Sequence, residues 1–318
     1  MRMRVFVVFL FLFVWRSVAA VEQISVQLDW KHHASYGGIY AALAKGFYTD
    51  EGLDVTLKAG GPNVDWVAPV VSGESQLGIG SGEALLIHRS QGLPVKALAA
   101  SFRRSPVVFF SLADFGIKHP SDFIGKKIRV APNLKPALTA MLSRFDITPD
   151  QYETVVMASN LDLVLRGDVP IWGAYITGLT QSVMSNGHKV NLIFPDNYGV
   201  HSYARVIYST EKFIAEKPEV VFRFLRATLK GWEWAVENSE KVGELVKRHN
   251  PAVDRVMQNQ AMAASIPLVH TGENRIGSMS PKVWENIAST LELSGVLEKG
   301  IDPVDVYTLE FLRRIYGP

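Results

Sequence analysis

The stretch from Leu28 to Gly61, LDWKHHASYGGIYAALAKGFYTDEGLDVTLKAGG, constrains the fold more than any other part of the chain. A short run, Ile24–Leu28, has the alternation of a strand and ends at Asp29-Trp30. A polar, aromatic turn containing Gly37-Gly38 follows. An Ala-rich helix then closes at Lys45-Gly46-Phe47-Tyr48, and a second strand is expected over Leu53–Leu57. Strand, helix and strand in this order make a βαβ opening. The chemically rich residues fall on the loop after the first strand. In open α/β sheets ligands collect at the carboxyl ends of strands, so this loop is the expected first wall of a pocket.

The rest of the chain repeats the alternation. After the break at Gly60-Gly61-Pro62-Asn63, a helix is expected over Val64–Ser72, a strand over Gln76–Gly80 and a helix over Ala84–Gln91. Val95–Ala100 and Val107–Leu112 read as strands whose nearly continuous apolar character suits a sheet covered on both faces. Ser121 caps a single turn before Gly125, and a second set then begins with strand Ile128–Ala131. That set continues with helix Pro136–Phe145, strand Val155–Met157, helix Ser159–Arg166, strand Ile171–Ile176, helix Leu179–Asn186 and strand Leu192–Phe194.

Beyond strand Val206–Ser209 the chain is mostly helical. Glu211–Glu216 precedes a long helix, Glu219–Glu237, in which Val220, Phe224, Ala227 and Trp234 recur near helical spacing. Further helices are expected around Glu240–His249, Asp254–Ile266 and Pro281–Ser294. Two α/β lobes with a helical return require two chain crossings, expected near Arg103–Val107 and Asp196–Ser202. The layout is a leader over 1–20, a first lobe over 21–106, a second lobe over 107–200 and a return to the first lobe over 201–318.

The leader accounts for the basic balance of the 318-residue chain. MRMRVFVVFLFLFVWRSVAA carries Arg2, Arg4 and Arg16 and no acid; the rest holds 30 basic and 31 acidic side chains. Charge therefore gives no reason to invoke nucleic acid. Arg2 and Arg4, the apolar run Val5–Trp15 and the small residues Val18-Ala19-Ala20 form a cleavable secretory signal, with an uncleaved anchor as the alternative. The chain has no cysteine, which excludes disulfides, thiolate metal sites, a Cys nucleophile and a lipid-modified Cys. A soluble periplasmic protein is expected.

The ordered motifs bring a resemblance into view. They are Asp29-Trp30, Gly38-x-Tyr40, Lys45-Gly46-Phe47-Tyr48-x3-Gly52-Leu53-Asp54-Val55, Gly60-Gly61-Pro62, Val71-x-Gly73-x4-Gly78 and Asp122-Phe123-x-Gly125-Lys126-Lys127-Ile128. Later ones are Pro195-x2-Tyr198-Gly199-Val200, Lys217-Pro218-Glu219, Gly231-Trp232 and Met279 with Val283-Trp284. With these the chain resembles the type II solute-binding proteins of ABC importers, within the thiamine-precursor (pyrimidine) synthesis and binding superfamily.

The resemblance implies an α/β, two-lobe periplasmic-binding-protein type II fold with two hinge crossings. It further implies a monomer that closes on a small-molecule heterocyclic ligand, a thiamine-pyrimidine precursor or a flavin-like ring, and presents it to an ABC permease in the inner membrane. The Gly-Gly-Pro-Asn stretch is closer to heterocycle binders than to the sulfonate or nitrate branches. A ligand-sensing subunit for a membrane signalling protein is the alternative, and a pyrimidine-synthesising enzyme a further one. Fungal enzymes of this kind carry a pyridoxal-bearing Lys, a His four residues later and a Cys-rich motif. Here those two positions hold Gly80 and Ala84. No enzyme and no cofactor are therefore expected. A second departure follows Thr177, where many relatives have Asn-Glu-Pro and this chain has Gly178-Leu179-Thr180.

Side-chain chemistry nominates the ligand contacts, each beside a plainer role. Trp30 offers a stacking face or packs one lobe on the other. Asp29 accepts from a ring amine or caps the loop. Tyr36 offers a wall or a hydroxyl, and Tyr40 packs into the base of the cleft. Asn63 is a neutral contact beside glycines that let backbone approach closely. Glu83, opening a helix, accepts two parallel hydrogen bonds from an aminopyrimidine edge or answers the helix dipole. Trp172, Tyr175, Asn197 and Tyr198 are expected to close from the second lobe and crossing. Adjacent His32-His33 lacks metal-ligand spacing, and the pair is expected as solvated loop residues, with a ligand contact from one of them as the alternative. Arg103-Arg104 is expected to pair structurally at the first crossing. No catalytic set and no metal site emerge.

Overall fold

The computed structural model describes residues 21–317 apart from Asn63, Ser159, Thr271, Lys299 and Ile301. The expected leader and the Asn63 contact thus lie outside the described residues. Among the described residues, no helix is long and apolar enough to cross a membrane.

Two five-stranded sheets organise the chain. The first contains β1 (Glu22–Gln27), β2 (Leu53–Lys58), β3 (Leu77–Gly80), β4 (Val95–Phe102) and β10 (Ala204–Thr210), in the order β2-β1-β3-β10-β4. The second contains β5 (Val107–Leu112), β6 (Lys127–Arg129), β7 (Glu153–Val155), β8 (Ile171–Tyr175) and β9 (Val190–Ile193), in the order β7-β6-β8-β5-β9. Each sheet repeats one plan. β1 runs parallel to β2 and β3, and β10 runs antiparallel to β3 and β4. Likewise β6 runs parallel to β7 and β8, and β5 runs antiparallel to β8 and β9. The chain passes to the second sheet between Phe102 and Val107 and returns between Ile193 and Ala204.

Glycine decides how the first lobe packs. Helix α1 (Gly37–Ala44) lies against the long helix α9 (Pro218–Glu237). A Cβ at Gly38 would stand 2.2 Å from Trp232 Cγ, and one at Gly231 only 2.1 Å from the Gly38 carbonyl oxygen. Backbones come this close only where no side chain intervenes. Trp232 is fully buried. Trp234, two residues on, points elsewhere: it is only partly buried and takes the Lys45 ammonium 4.5 Å from its ring centroid.

Several element bounds differ from the sequence expectation for local reasons. The helix expected over Val64–Ser72 shrinks to α3 (Ala68–Val71). The Asp65 carboxylate accepts from the amides of Val67 and Ala68, both at 3.0 Å, so the helix starts late. Gly46, at φ 75°, ends α1 and starts a separate turn, α2 (Phe47–Asp50). The strand expected over Val155–Met157 pairs over Glu153–Val155 instead. α6 (Leu161–Arg166) is capped by Asn160, whose side chain accepts from the Leu163 amide at 2.9 Å. The remaining helices are α4 (Gly82–Ser90), α5 (Lys135–Ser143), α7 (Leu179–Ser185), α8 (Glu211–Glu216), α10 (Ser239–His249), α11 (Arg255–Val269) and α12 (Pro281–Leu293). A last helix, α13 (Glu310–Tyr316), was not expected and buries Phe311 and Leu312.

Candidate ligand-binding cleft

A cleft of about 370 Å³ is lined from both sheets. Its first-lobe wall includes Asp29 just past β1, Gly80 at the end of β3, and Ser81, Glu83 and Ile87 along α4. Its second-lobe wall includes Asn133 and Leu134 beyond β6, Ala137 on α5, and Tyr175 at the end of β8. The carboxyl ends of parallel strands from both sheets thus converge on one cavity.

At the floor stands a cation that sequence reading missed. Arg205, the second residue of β10, places Nη1 2.5 and 2.6 Å from the two carboxylate oxygens of Asp29. Its guanidinium carbon lies 4.7 Å from the Tyr36 ring centroid. Tyr36 donates its hydroxyl to Asp29 Oδ1 at 2.5 Å and accepts the Trp30 amide at 3.0 Å. Burial works against the Arg205 charge, yet Asp29 and the facing tyrosines outweigh it and hold the cation well above its ordinary value. Arg205 adopts φ 52°, a left-handed conformation that costs free energy in a residue with a Cβ. Its Nε is buried without a hydrogen-bond partner among the described residues.

This floor revises the expected roles of four residues. Asp29 lines the cleft, but both its oxygens are engaged by Arg205 and Tyr36. Tyr36 is fully buried beneath it rather than forming a wall. Tyr40 is buried too; its hydroxyl lies 3.0 Å from His32 Nδ1 and its ring stacks on His249 at 4.9 Å. His33 is no solvated loop residue. It accepts the Ser35 amide at 3.3 Å, its Nε2 lies 3.5 Å from Arg205 Nη2, and burial with the nearby cation pushes its pKa well down.

Glu83 is the second residue of α4, whose N-cap Ser81 accepts the Ala84 amide at 3.2 Å. Its carboxylate accepts from Ser202 Oγ at 2.5 Å. Burial raises the Glu83 pKa above its ordinary value, against the lowering effect of that hydrogen bond. Across the cleft, the Tyr175 hydroxyl accepts from Asn133 Nδ2 at 2.8 Å, and the residue is 42% exposed.

The other expected contacts stand away from the cavity. Trp30 is 43% exposed and is not among the cleft-lining residues. Trp172, within β8, is buried, and its indole N–H donates to the Val169 carbonyl at 2.7 Å. Strand alternation turns Trp172 inward to pack against the covering helices. Asn197 accepts from Arg104 Nη2 at 2.8 Å, and Tyr198 packs edge-on against Phe145 and His119. Arg104 also donates to Asp196 at 2.5 Å, and His201 Nδ1 lies 2.9 Å from the same carboxylate. The expected structural pairing at the first crossing is therefore made with the second crossing.

Charge at the cleft is mostly internal. Asp29 and Arg205 neutralise each other, leaving Glu83 as a partly buried acceptor in a cleft with mostly apolar walls. Such a site suits a flat, neutral, donor-bearing ring and disfavours a strong anion.

Two sheets of this strand order, each with one antiparallel strand inserted and a shared cleft at their carboxyl ends, define a type II periplasmic-binding-protein fold. The periplasmic aliphatic sulphonate binding protein SsuA from Escherichia coli superposes with a TM-score of 0.71 at 11% identity, over 90% of this chain and 91% of that one.

The family profile described as NMT1/THI5 like matches residues 33–242, and the chain belongs to that family. It is 27% identical to a formylaminopyrimidine-binding protein of Halalkalibacterium halodurans, over 91% of this chain and 90% of the relative. It is 23% identical to the riboflavin-binding protein RibY of Chloroflexus aurantiacus, over 92% and 86% respectively. A 4-amino-5-hydroxymethyl-2-methylpyrimidine phosphate synthase of Legionella pneumophila is 20% identical, over 92% of each chain.

Proposed function

We propose that the chain is the periplasmic substrate-binding component of an ABC importer, closing two lobes on a small nitrogenous aromatic heterocycle of the pyrimidine or flavin kind. The observation that carries this reading is the cleft itself. One partly buried carboxylate, Glu83, faces a half-exposed tyrosine, Tyr175, across a cavity walled by both sheets. Ring N–H groups meet Glu83, and Tyr175 covers the ring from the other lobe. The binding proteins among the relatives support the ligand class. The lobes divide near residues 106 and 200, residues 1–20 are removed on export, and the monomer hands its ligand to a permease. Closure is a hinge motion whose population the ligand shifts.

A binding role is favoured over synthesis by the surroundings of Gly80. In this chain Gly80 stands where the fungal enzymes place their pyridoxal-bearing lysine. A Cβ there would lie 2.6 Å from Trp66 Cη2, so the indole occupies the space a side chain needs. The experiment is a thermal-shift and calorimetric panel of formylaminopyrimidine, 4-amino-5-hydroxymethyl-2-methylpyrimidine, riboflavin and alkanesulfonates. Saturable binding of one heterocycle is the expected result. Binding of sulfonates alone, or of none, contradicts the reading.

A further inference from the structure

Ser202 joins the carboxylate of the cleft to the second chain crossing. It lies on the return between Ile193 and Ala204, is only 7% exposed and lines the cavity. Its hydroxyl donates to Glu83 Oε1 at 2.5 Å. The backbone repeats the contact one residue on, where the Gly82 amide donates to the Tyr203 carbonyl at 2.9 Å. Residues 202–203 of the crossing therefore run beside residues 82–83 of α4.

The crossing is held on both sides of Ser202. Asn286 on α12 uses both ends of its amide, accepting the His201 amide at 2.8 Å and donating to the Gly199 carbonyl at 3.0 Å. The Tyr203 hydroxyl accepts the Ser280 amide at 2.7 Å, just ahead of α12. A Cβ at Gly82 would lie 2.8 Å from Ile287 Cδ1, so α12 in turn sits on the first turn of α4. With its neighbours fixed, the Ser202 hydroxyl has little freedom to turn away. The Tyr203 carbonyl, at 3.5 Å, is a much weaker acceptor for it than Glu83.

A serine hydroxyl has one proton to donate, and an ionised carboxylate has about four lone-pair sites. Donation from Ser202 thus orients Glu83 and leaves it further sites for ring N–H groups. It also favours the charged form, opposing the effect of burial. We propose that Ser202 is a positioning residue for ligand recognition, holding Glu83 oriented and charged from the second crossing. The proposal rests on the reading of the cleft as a heterocycle site.

Melting of the ligand-free protein from about pH 4 to about pH 8 tests the hold on Glu83 without any ligand. Ser202→Ala removes a donor that favours the ionised carboxylate, so the loss of stability as pH rises should deepen and extend to higher pH. Ser202→Thr keeps the hydroxyl and should keep the wild-type profile. In a Glu83→Gln background, Ser202→Ala should leave the shape of the profile unchanged. That control separates Glu83 from the other titratable groups lining the cavity: Asp29 and Arg205 of the first lobe, His201 and Tyr203 of the crossing, and Tyr175 of the second lobe. Among the described residues, α5 and α12 line it with no titratable side chain.

Calorimetric titrations with 4-amino-5-hydroxymethyl-2-methylpyrimidine and riboflavin complete the test. Ser202→Ala should weaken whichever ring binds about fivefold at about pH 6, and less at about pH 8. An equal drop in melting temperature at every pH, or a pH effect that persists in the Glu83→Gln background, overturns the positioning role. Unchanged affinity for a ring that binds the wild type overturns it too, and leaves the heterocycle reading standing. If neither ring binds while the pH effect appears, the heterocycle reading falls and the hold of Ser202 on Glu83 stands.

Discussion

Arg205 Nη1 sits 2.5 and 2.6 Å from the two carboxylate oxygens of Asp29, joining residues 176 positions apart in the chain. The contact ties the end of β1 to the strand by which the chain re-enters the first sheet. It also determines what the cleft offers a ligand, since the pair neutralises the floor and leaves Glu83 as the carboxylate available to a ring.

Breaking one side of that pair strands a charge in a mostly buried site. Asp29→Asn is expected to lower stability by about 3 kcal/mol, because Arg205 loses its counter-ion. Combining it with Arg205→Met should recover most of the loss, since a buried pair is often replaced by apolar groups at little cost. Urea midpoints of the two single variants and the double variant check this. A double variant as unstable as the sum of the singles would contradict it.

The α1–α9 contact predicts a sharp response to one methyl group. Gly38→Ala places a Cβ inside the fully buried Trp232 ring, and overpacking of this kind costs about 2 kcal/mol or more. Thermal melting reads the loss directly. Gly73→Ala is a useful contrast: no atom lies within 4 Å of its added Cβ, so its penalty comes from the positive φ of 80° alone.

Glu83 links stability, binding and pH. Burial raises its pKa above the ordinary value of 4.5, so the folded state binds the proton more tightly than the unfolded state. Stability therefore falls as pH rises through the window between the unfolded and folded values, and the full cost is present above it. Glu83→Gln should remove this fall in melts from about pH 4 to about pH 8. The same variant should weaken heterocycle binding about tenfold or more, because a charged acceptor is lost. A variant with wild-type pH dependence would show that another group carries the titration.

The alternation of strands and helices was legible because period and glycine stops are local. The meaning of the individual motifs was less so. Gly38 and Gly231-Trp232 mark the helix contact, and Gly60 marks a close approach to β1: its amide donates to the Trp30 carbonyl at 3.0 Å, and a Cβ there would lie 2.3 Å from the Leu28 carbonyl oxygen. These glycines and the tryptophan hold the fold. Glu83 could be nominated because it follows a strand end, and Tyr175 because it stands at one. Arg205 could not, since nothing local in Ala204-Arg205-Val206 marks an inserted antiparallel strand or a left-handed residue. Trp172 failed for the reverse reason: proximity to a strand end does not say which face of the strand a side chain takes. Leu291 and Val296, on α12 and just beyond it, join the cleft only through tertiary packing of α12 on α4.

The account rests on a ligand held from both lobes at once. Its most direct test is calorimetric affinity, for whichever heterocycle of the panel binds, in wild type, Glu83→Ala and Tyr175→Ala, with melting curves to confirm folding. Both substitutions are predicted to weaken binding at least about tenfold, one from each wall. Unchanged affinity in either folded variant would contradict the cleft as the binding site.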